Sequence, residues 1–433
     1  MSISRTTTSA DLLLRMLESA IGSSPLRVRA WDGSEAGPAD GPVLVVRSRR
    51  ALRRMLWRPD DLGMGRAYVA GEVDVDGDLL DALAAAADVG LTLHHRAELS
   101  LRDRAALLGR AARVGAVGPA PAPPPEEVVV AGRRHSRSRD RAAVSSHYDV
   151  GNEFYRHILG PSMVYSCAYW RDEPEHDRNY TLEDAQRDKL DLVCRKLGLR
   201  PGMRVLDVGC GWGSFAQHAA AEYGVDVLGI TLSEQQVRAG RERIAAVGLA
   251  DHVQLRLQDW RTLDEGGFDA IASIGMAEHV GREHYDHYCA AMLALLRPGG
   301  RLLNHQIAAT PGPQPGHRTF IDAYVFPDGD LLPLAMVIDK LELAGFEVRD
   351  VQCLREHYGR TLRAWVRNLE RHWDECVRLT SPGRARVWHL YMALSAIGFE
   401  RGLLRVNQTL TVRPTADGVV DIPPVRERWL TPR

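Results

Sequence analysis

The sequence predicts an α/β fold: a doubly wound, Rossmann-like parallel sheet with helices on both faces, preceded by a small α+β domain. Three observations carry this. From about Arg200 to Ile307, short apolar strands alternate with amphipathic helices, and such repeated units build a parallel sheet. A glycine-rich turn follows the first of these strands directly. Before Ala116 the pattern is shorter and mixed, with helical and alternating stretches interleaved.

The 433 residues exceed one ordinary domain, so two are expected. Hydrophobic residues make up 45% and charged residues 26%, which allows a large core and excludes a disordered chain. The formal net charge is -1, with Lys+Arg 55 against Asp+Glu 56, and this speaks against bulk nucleic-acid binding. Six cysteines occur, none in a C-x-x-C spacing; they read as free thiols of a reducing cytoplasm, with no metal site among them. Met1 to Ala10 lacks the apolar core of a secretory signal. No stretch reaches the ~20 apolar residues of a spanning helix, so any membrane contact is expected to be peripheral.

In chain order, Ala10 to Ile21 has helical spacing of leucines. Leu26 to Trp31 and Val43 to Val46 alternate and read as a hairpin joined by a Gly/Pro/Asp segment. Arg47 to Leu62 reads as a helix, Gly63 to Asp78 as a turn and short strand, and Leu79 to Ala87 as a helix. Ala116 to Pro125, with five prolines, reads as an extended linker. Arg133, Arg134, Arg137, Arg139 and Arg141 follow. They suit a solvated tether, or attraction to anionic headgroups at about 1 kcal/mol per basic residue. The division expected is 1–115, a linker over 116–141, and a main domain over 142–433. Within that domain, strands are expected at Arg204–Val208, Asp226–Thr231, Val253–Leu257, Phe268–Ile274 and Arg301–Ile307, the last after a turn at Pro298–Gly300. Helices are expected at Ser214–Tyr223, Glu234–Val247 and Tyr285–Leu296.

Asp207-Val208-Gly209-Cys210-Gly211-Trp212-Gly213 joins the first strand of the main domain to its first helix. Glycines let backbone approach a ligand closely at the top of a sheet. The spacing G-x-G-x-G differs from the dinucleotide fingerprint. An acidic residue before it suits an adenosyl-amino-acid ligand, which carries a sulfonium and an ammonium but no phosphate; the bland reading is a ligand-free turn. Thr231, Ser233 and Gln236 close the second strand, where many methyltransferases place an acid for ribose hydroxyls. Gln258, Asp259 and Trp260 follow the third strand and could hold an adenine, by accepting from its amino group and by stacking. Ordinary core packing is the competing reading of Trp260.

Several ordered motifs carry a family resemblance. Val144 to Tyr155 contains His147, Tyr148, Asp149, Gly151 and Asn152, and Met163 to Trp170 contains Tyr165, Ser166 and Cys167. Ser273 to Gly281 contains Glu278-His279; Asn304-His305-Gln306-Ile307, Tyr324 to Gly329 and His357 to Trp365 complete the set. Together they resemble bacterial cyclopropane-fatty-acid synthases and mycolic-acid cyclopropane synthases, from about Arg141 to near Arg433 and more weakly over Gly63 to Asp78. The resemblance implies a class I methyltransferase sheet with helical lid insertions. It also implies S-adenosyl-L-methionine as co-substrate, with Tyr165 and Ser166 joining Asp207, Gly209, Cys210, Gly211 and Gly213 at that ligand.

In that family bicarbonate is the general base. The matching positions are Cys167, Glu278, His305, Ile307 and Tyr358, with Cys167 and Ile307 contributing backbone groups. The chemistry accounts for such a set. An unactivated alkene needs a strong electrophile, the sulfonium methyl. Transfer leaves a carbocation in an apolar pocket, and a proton must leave before a ring can close. A small base held by polar donors fits beside an acyl chain, and ring faces such as Tyr148, Tyr165 and Phe326 could stabilise the cation. Singly these residues say little: His305 suits a satisfied core histidine, Cys167 an inert thiol, Glu278-His279 a helix cap. Two departures stand out, Ala277 where relatives often carry an aromatic, which could widen the pocket, and Ser395 where they carry cysteine.

The expectation is therefore a cyclopropane-fatty-acyl-phospholipid synthase acting on unsaturated phospholipid acyl chains at the inner membrane surface. It would be a cytoplasmic, peripherally bound homodimer without a metal or nucleic-acid partner. Within the family the alternative is a methylene- or methyl-branched product. Outside it, the alternatives are an inactive binding protein, opposed by Glu278, His305 and Tyr358, and a small-molecule methyltransferase, opposed by the apolar insertion Thr319 to Val337.

Overall fold

The computed structural model describes residues 7–21, 23–92, 109–113, 115–148, 150–172, 177, 179–312 and 318–427. The chain forms two compact units. One is Met1–Val129 with Pro315–Val325 and Thr380–Ile397; the other is Val130–Gln314, Phe326–Leu379 and Gly398–Arg433. Segments distant in sequence thus complete the first unit.

That unit holds a four-stranded sheet in the order β2-β1-β3-β4. The strands are β1 (Arg27–Arg29), β2 (Glu35–Ala36), β3 (Val43–Val46) and β4 (Val73–Asp76). The expected hairpin between β1 and β3 is corrected: they pair in parallel, Val28 opposite Leu44. The intervening segment forms β2, which reverses onto β1, Val28 opposite Ala36. The chain then returns through Gly37 and Gly41 to enter β3 in the direction of β1. The expected helix Arg47–Leu62 is two helices, Arg49–Trp57 and Asp61–Val69, because Pro59 cannot continue the first. Asp60 caps the second by accepting from the Gly63 N–H at 3.1 Å, so the expected turn at Gly63 is helical. Arg54 is buried against Glu72 at 2.9 Å and also donates to the Ala122 carbonyl. The proline-rich stretch is thereby fastened to this unit.

The second unit is a seven-stranded sheet in the order β10-β11-β9-β8-β5-β6-β7. Its strands are β5 (Arg204–Val208), β6 (Asp226–Thr231), β7 (Val253–Leu257), β8 (Phe268–Ile274), β9 (Leu296–Ala309), β10 (Glu347–Cys353) and β11 (Leu404–Val412). Strands β9, β8, β5, β6 and β7 are mutually parallel, as the alternating units require. Beyond these units, at one edge, β11 runs antiparallel to β9 and to β10. The expected turn at Pro298–Gly300 lies within β9, whose pairing with β8 shifts register between Phe268 and Ala270.

Strand alternation sorts the core. Val205 packs into a cluster with Leu190, Val193 and Phe215 on one face of the sheet. Leu206 and Val208 pack with Tyr285, Met292 and Leu341 on the other. Asp207 shares the parity of Val205 and so faces the helix Leu182–Leu197. The arginine run is not wholly a tether: Arg137–Tyr148 is helical, and Arg134 and Arg139 both bind Asp328. Arg133, Arg134, Arg137 and Arg141 remain exposed. Among the described residues, no helix is long and apolar enough to cross a membrane.

Candidate active site

The carboxyl ends of β5, β8 and β9 build the site, the position where open α/β sheets take their ligands. After β5 the chain turns at Gly209, Gly211 and Gly213, with φ of 83°, 54° and 79°. These left-handed angles favour glycine. At Gly209 an added Cβ would also lie 2.9 Å from Met276 Cβ, so this turn abuts the segment leading to Glu278. The N–H groups of Gly209 and Cys210 both donate to the Ile230 carbonyl, at 2.9 and 3.0 Å. The turn is therefore fixed to β6 before any ligand binds.

Asp207 is buried, and its Oδ2 has no hydrogen-bond partner. Burial pushes its carboxyl up to about 7, with Lys189 opposing. Such an orphaned carboxylate costs free energy unless a ligand satisfies it, which suits a cationic ligand group. Lys189 is itself buried and donates to Ser166 Oγ at 2.8 Å. Burial lowers its ammonium to about 8, against the pull of Cys167 and Asp207.

A connected run of contacts joins four of the five expected positions, Glu278, Ile307, Cys167 and Tyr358. Glu278 stands on the 3-10 turn Ala277–His279 just beyond β8. Its Oε1 accepts from the Ile307 N–H at 2.8 Å, while its buried Oε2 has no partner. Ile307 pairs with Val406 across β11. The Leu354 N–H donates to the Val406 carbonyl at 2.8 Å. The Leu354 carbonyl in turn accepts from the Tyr358 N–H at 3.0 Å and from the Cys167 thiol at 3.6 Å. His305 precedes Ile307 by two on β9 and shares its face. Asn304 and Gln306 point to the opposite face, where both bond Tyr285. Ile307 thus already gives its N–H to Glu278.

The protonation states are legible from partners. Where the Gln408 amide nitrogen faces His305 Nδ1, 3.2 Å away, Nδ1 accepts and the ring proton falls on Nε2, and Gln408 Oε1 is then left buried without a partner. That Nε2 is buried and has no acceptor. Burial holds the imidazole well below its usual range, helped by Lys189 and Lys196, so His305 is neutral. Burial pushes Glu278 up to about 7, with the Ile307 N–H opposing. Cys167 is buried and its thiol is pushed well up, so it is no thiolate. An acceptor at Glu278 Oε2 and a donor at His305 Nε2 are complementary to a small anion that carries one hydroxyl.

Aromatic rings link this nook to the glycine turn. Trp212 lies 4.8 Å from Tyr155, Tyr155 5.6 Å from Tyr165, and Tyr165 5.5 Å from Trp365. Trp365 meets Tyr358 edge-on at 6.1 Å, and Tyr358 packs on Phe399 at 4.6 Å. Phe326 meets His279 edge-on at 5.8 Å. The side chains of His147 and Tyr148, and Asp149 altogether, lie outside the described residues.

The remaining expected cofactor residues are mostly engaged with one another. Thr231 donates to Gln236 Oε1 at 2.8 Å, and Ser233 caps the helix Glu234–Ala246 through the Gln236 N–H. Gln258 donates to the Thr262 carbonyl at 3.3 Å. Both Asp259 oxygens accept from Arg261, and this outweighs burial to lower the carboxyl. Trp260 packs on His287 and Tyr288, beside the core. Ala277 is buried in the core cluster that holds Leu206 and Val208, and Ser395 belongs to the first compact unit. Lys189 and Gln408 lie outside the residues the sequence singles out, and Trp365 is marked there only as the end of the motif His357 to Trp365. The alternation of Leu404–Val412 is the available signal for Gln408; no motif marks Lys189.

Residues 135–409 match the family described as mycolic acid cyclopropane synthetase. A probable fatty acid methyltransferase of Pseudomonas putida is 38% identical, covering 93% of this chain and 95% of its own. The cyclopropane-fatty-acyl-phospholipid synthase of Escherichia coli K12 is 34% identical, over 67% of this chain and 74% of its own. The solved structure of mycolic acid cyclopropane synthase CmaA1 complexed with SAH and CTAB is 33% identical. It superposes with a TM-score of 0.58, covering 63% of this chain and 98% of that one. The seven-stranded class I methyltransferase sheet and the length of the match lead to one statement of kinship: the chain belongs to the mycolic acid cyclopropane synthetase family.

Proposed function

We propose that this protein transfers the methyl of S-adenosyl-L-methionine to the cis double bond of an unsaturated phospholipid acyl chain and closes a cyclopropane ring, as a cyclopropane-fatty-acyl-phospholipid synthase. The observation that carries this reading is the pair of buried, partnerless atoms Glu278 Oε2 and His305 Nε2. They fit bicarbonate: its hydroxyl would donate to Glu278, and the His305 N–H would donate to its charged end. Tyr358, with backbone groups of Cys167 and Ile307, would complete the enclosure. Bound there, bicarbonate would supply the base that takes a proton from the newly added methyl.

The residues' own work is binding and exclusion. Asp207 and the glycine turn, with Tyr165 and Ser166, would hold the amino-acid end of S-adenosyl-L-methionine and so position its methyl. Cys210, Thr231, Ser233, Gln236, Gln258, Asp259 and Trp260 frame the nucleoside end. The faces of Tyr165 and Phe326 stabilise the substrate carbocation and keep water from it. We further propose a cytoplasmic homodimer that meets the membrane peripherally, through exposed Arg133, Arg134, Arg137 and Arg141.

A second reading is favoured by a relative that matches nearly the whole chain, a probable fatty acid methyltransferase. Proton loss from a neighbouring carbon, or a hydride shift, would then give a methylene- or methyl-branched chain. Lipids of cells expressing the protein should gain the mass of one methylene on monounsaturated chains. Gas chromatography against ring, methylene and methyl standards separates the two products. Active protein without that mass gain would refute both.

A further inference from the structure

Two helices and the cap of a third bring together His157, His372 and Glu375, none of which belongs to the candidate active site. One ligating atom from each lies within 4.8 Å of the other two. His157 belongs to the helix Asn152–Leu159, His372 ends the helix Arg355–Arg371, and Glu375 belongs to Trp373–Leu379. No catalytic role above uses them.

The orientation of His372 is the telling feature. Its Nδ1 lies 2.9 Å from the Asn368 carbonyl. A carbonyl only accepts, so Nδ1 carries the proton and the neutral ring presents a lone pair at Nε2. A backbone carbonyl on the far nitrogen is the usual support of a metal-bound imidazole. The rings of His157 and His372 have centroids 4.8 Å apart. Two imidazoles on one tetrahedral zinc, each bound at about 2.0–2.1 Å, put their centroids about 5 Å apart. His157 Nε2 stands 3.7 Å from Glu375 Oε2. The corresponding edge of a zinc tetrahedron is about 3.4 Å, a small contraction for half-exposed side chains. The helices are already joined at this point, since Asn368 Nδ2 donates to the Ile158 carbonyl at 2.9 Å.

We propose that His157, His372 and Glu375 bind one divalent transition-metal ion, zinc foremost, with water in the fourth position. Two imidazoles and a carboxylate suit zinc better than calcium or magnesium, which prefer oxygen. The ion clamps Asn152–Leu159 to the end of Arg355–Arg371. Because Tyr155 on the first of these helices touches Trp212 and Tyr165, the clamp steadies the glycine-turn side of the aromatic wall.

The test uses full-length protein stripped with a chelator and titrated calorimetrically with zinc sulfate. The wild type should bind one zinc per chain and unfold at a higher temperature with it. His157→Ala, His372→Ala and Glu375→Gln should each weaken binding on the order of tenfold or more, since even outer-shell changes cost that much. His252→Ala, at an exposed histidine paired with Asp226, should bind as the wild type does. No saturable binding by the wild type, or unchanged binding in the three variants, would overturn the proposal. Should a variant fail to fold, the cobalt(II) spectrum of the wild type decides. Nitrogen and oxygen ligation is expected, and a thiolate charge-transfer band would refute it.

Discussion

Replacing Glu278 by glutamine tests the site at a single oxygen. The substitution keeps an acceptor for the Ile307 N–H, now held at 2.8 Å by Oε1. It exchanges the partnerless Oε2 for an amide that donates and never ionises. Glu278 is pushed from 4.5 up to about 7, with burial as the largest cause. A raised folded-state pKa means that the native protein holds its proton longer than the unfolded chain does. Stability is therefore full below about pH 4.5 and falls as pH rises to about 7. That displacement corresponds to about 3 kcal/mol of stability, lost by about pH 7. The variant lacks this loss. In bicarbonate-free buffer its melting temperature should match the wild type near pH 4.5 and exceed it near pH 8 by several degrees. Asp207 titrates in the same window but is present in both proteins, so it cancels in the difference. Product formation should fall by about 10²–10⁴-fold, the usual worth of a positioned acid–base group, while cofactor binding stays nearly unchanged. Parallel melting curves from pH 4.5 to 8 would refute the burial argument. Retained turnover would refute the role in the anion site, and lost cofactor binding would reassign the residue to the cofactor pocket or the fold.

Two further outcomes follow from the geometry. Gly209→Ala should destabilise the protein by about 1–3 kcal/mol, because φ of 83° and a Cβ 2.9 Å from Met276 Cβ both oppose a side chain. An unchanged thermal midpoint would show that the turn relaxes freely. His305 should show no protonation between pH 8 and 5.5 in nitrogen-15 NMR, with its proton on Nε2, since burial lowers its pKa and Gln408 donates to Nδ1. A titration midpoint near 6.5, or the proton on Nδ1, would contradict this.

Much of the second unit could be read locally. Buried five- to seven-residue strands followed by helical periodicity identified β5 to β8 at the bounds observed, because each unit obeys the period of its own segment. Motif order likewise pointed to Glu278, Tyr358 and Cys167, which one run of hydrogen bonds and strand pairing joins, and to His305, two residues before Ile307 on β9. The hairpin reading of β1 and β3 failed because alternation gives strand identity but not partner direction. Gly63 read as a turn because glycine marks turns more often than helices, and only the Asp60 cap tells the two apart.

Composition and spacing by themselves determined the kind of sheet and the glycine turn, and the family resemblance carried by motif order pointed to the residues of the proposed anion site. Tertiary structure alone decided that β10 and β11 close the sheet antiparallel, that distant segments complete the first unit, and that Gln408 on β11 sets the tautomer of His305 on β9. It also decided the charge states. Asp207, Glu278, Lys189 and His305 are ordinary titratable residues in a sequence, and their shifts arise from burial and from neighbours that lie far away along the chain.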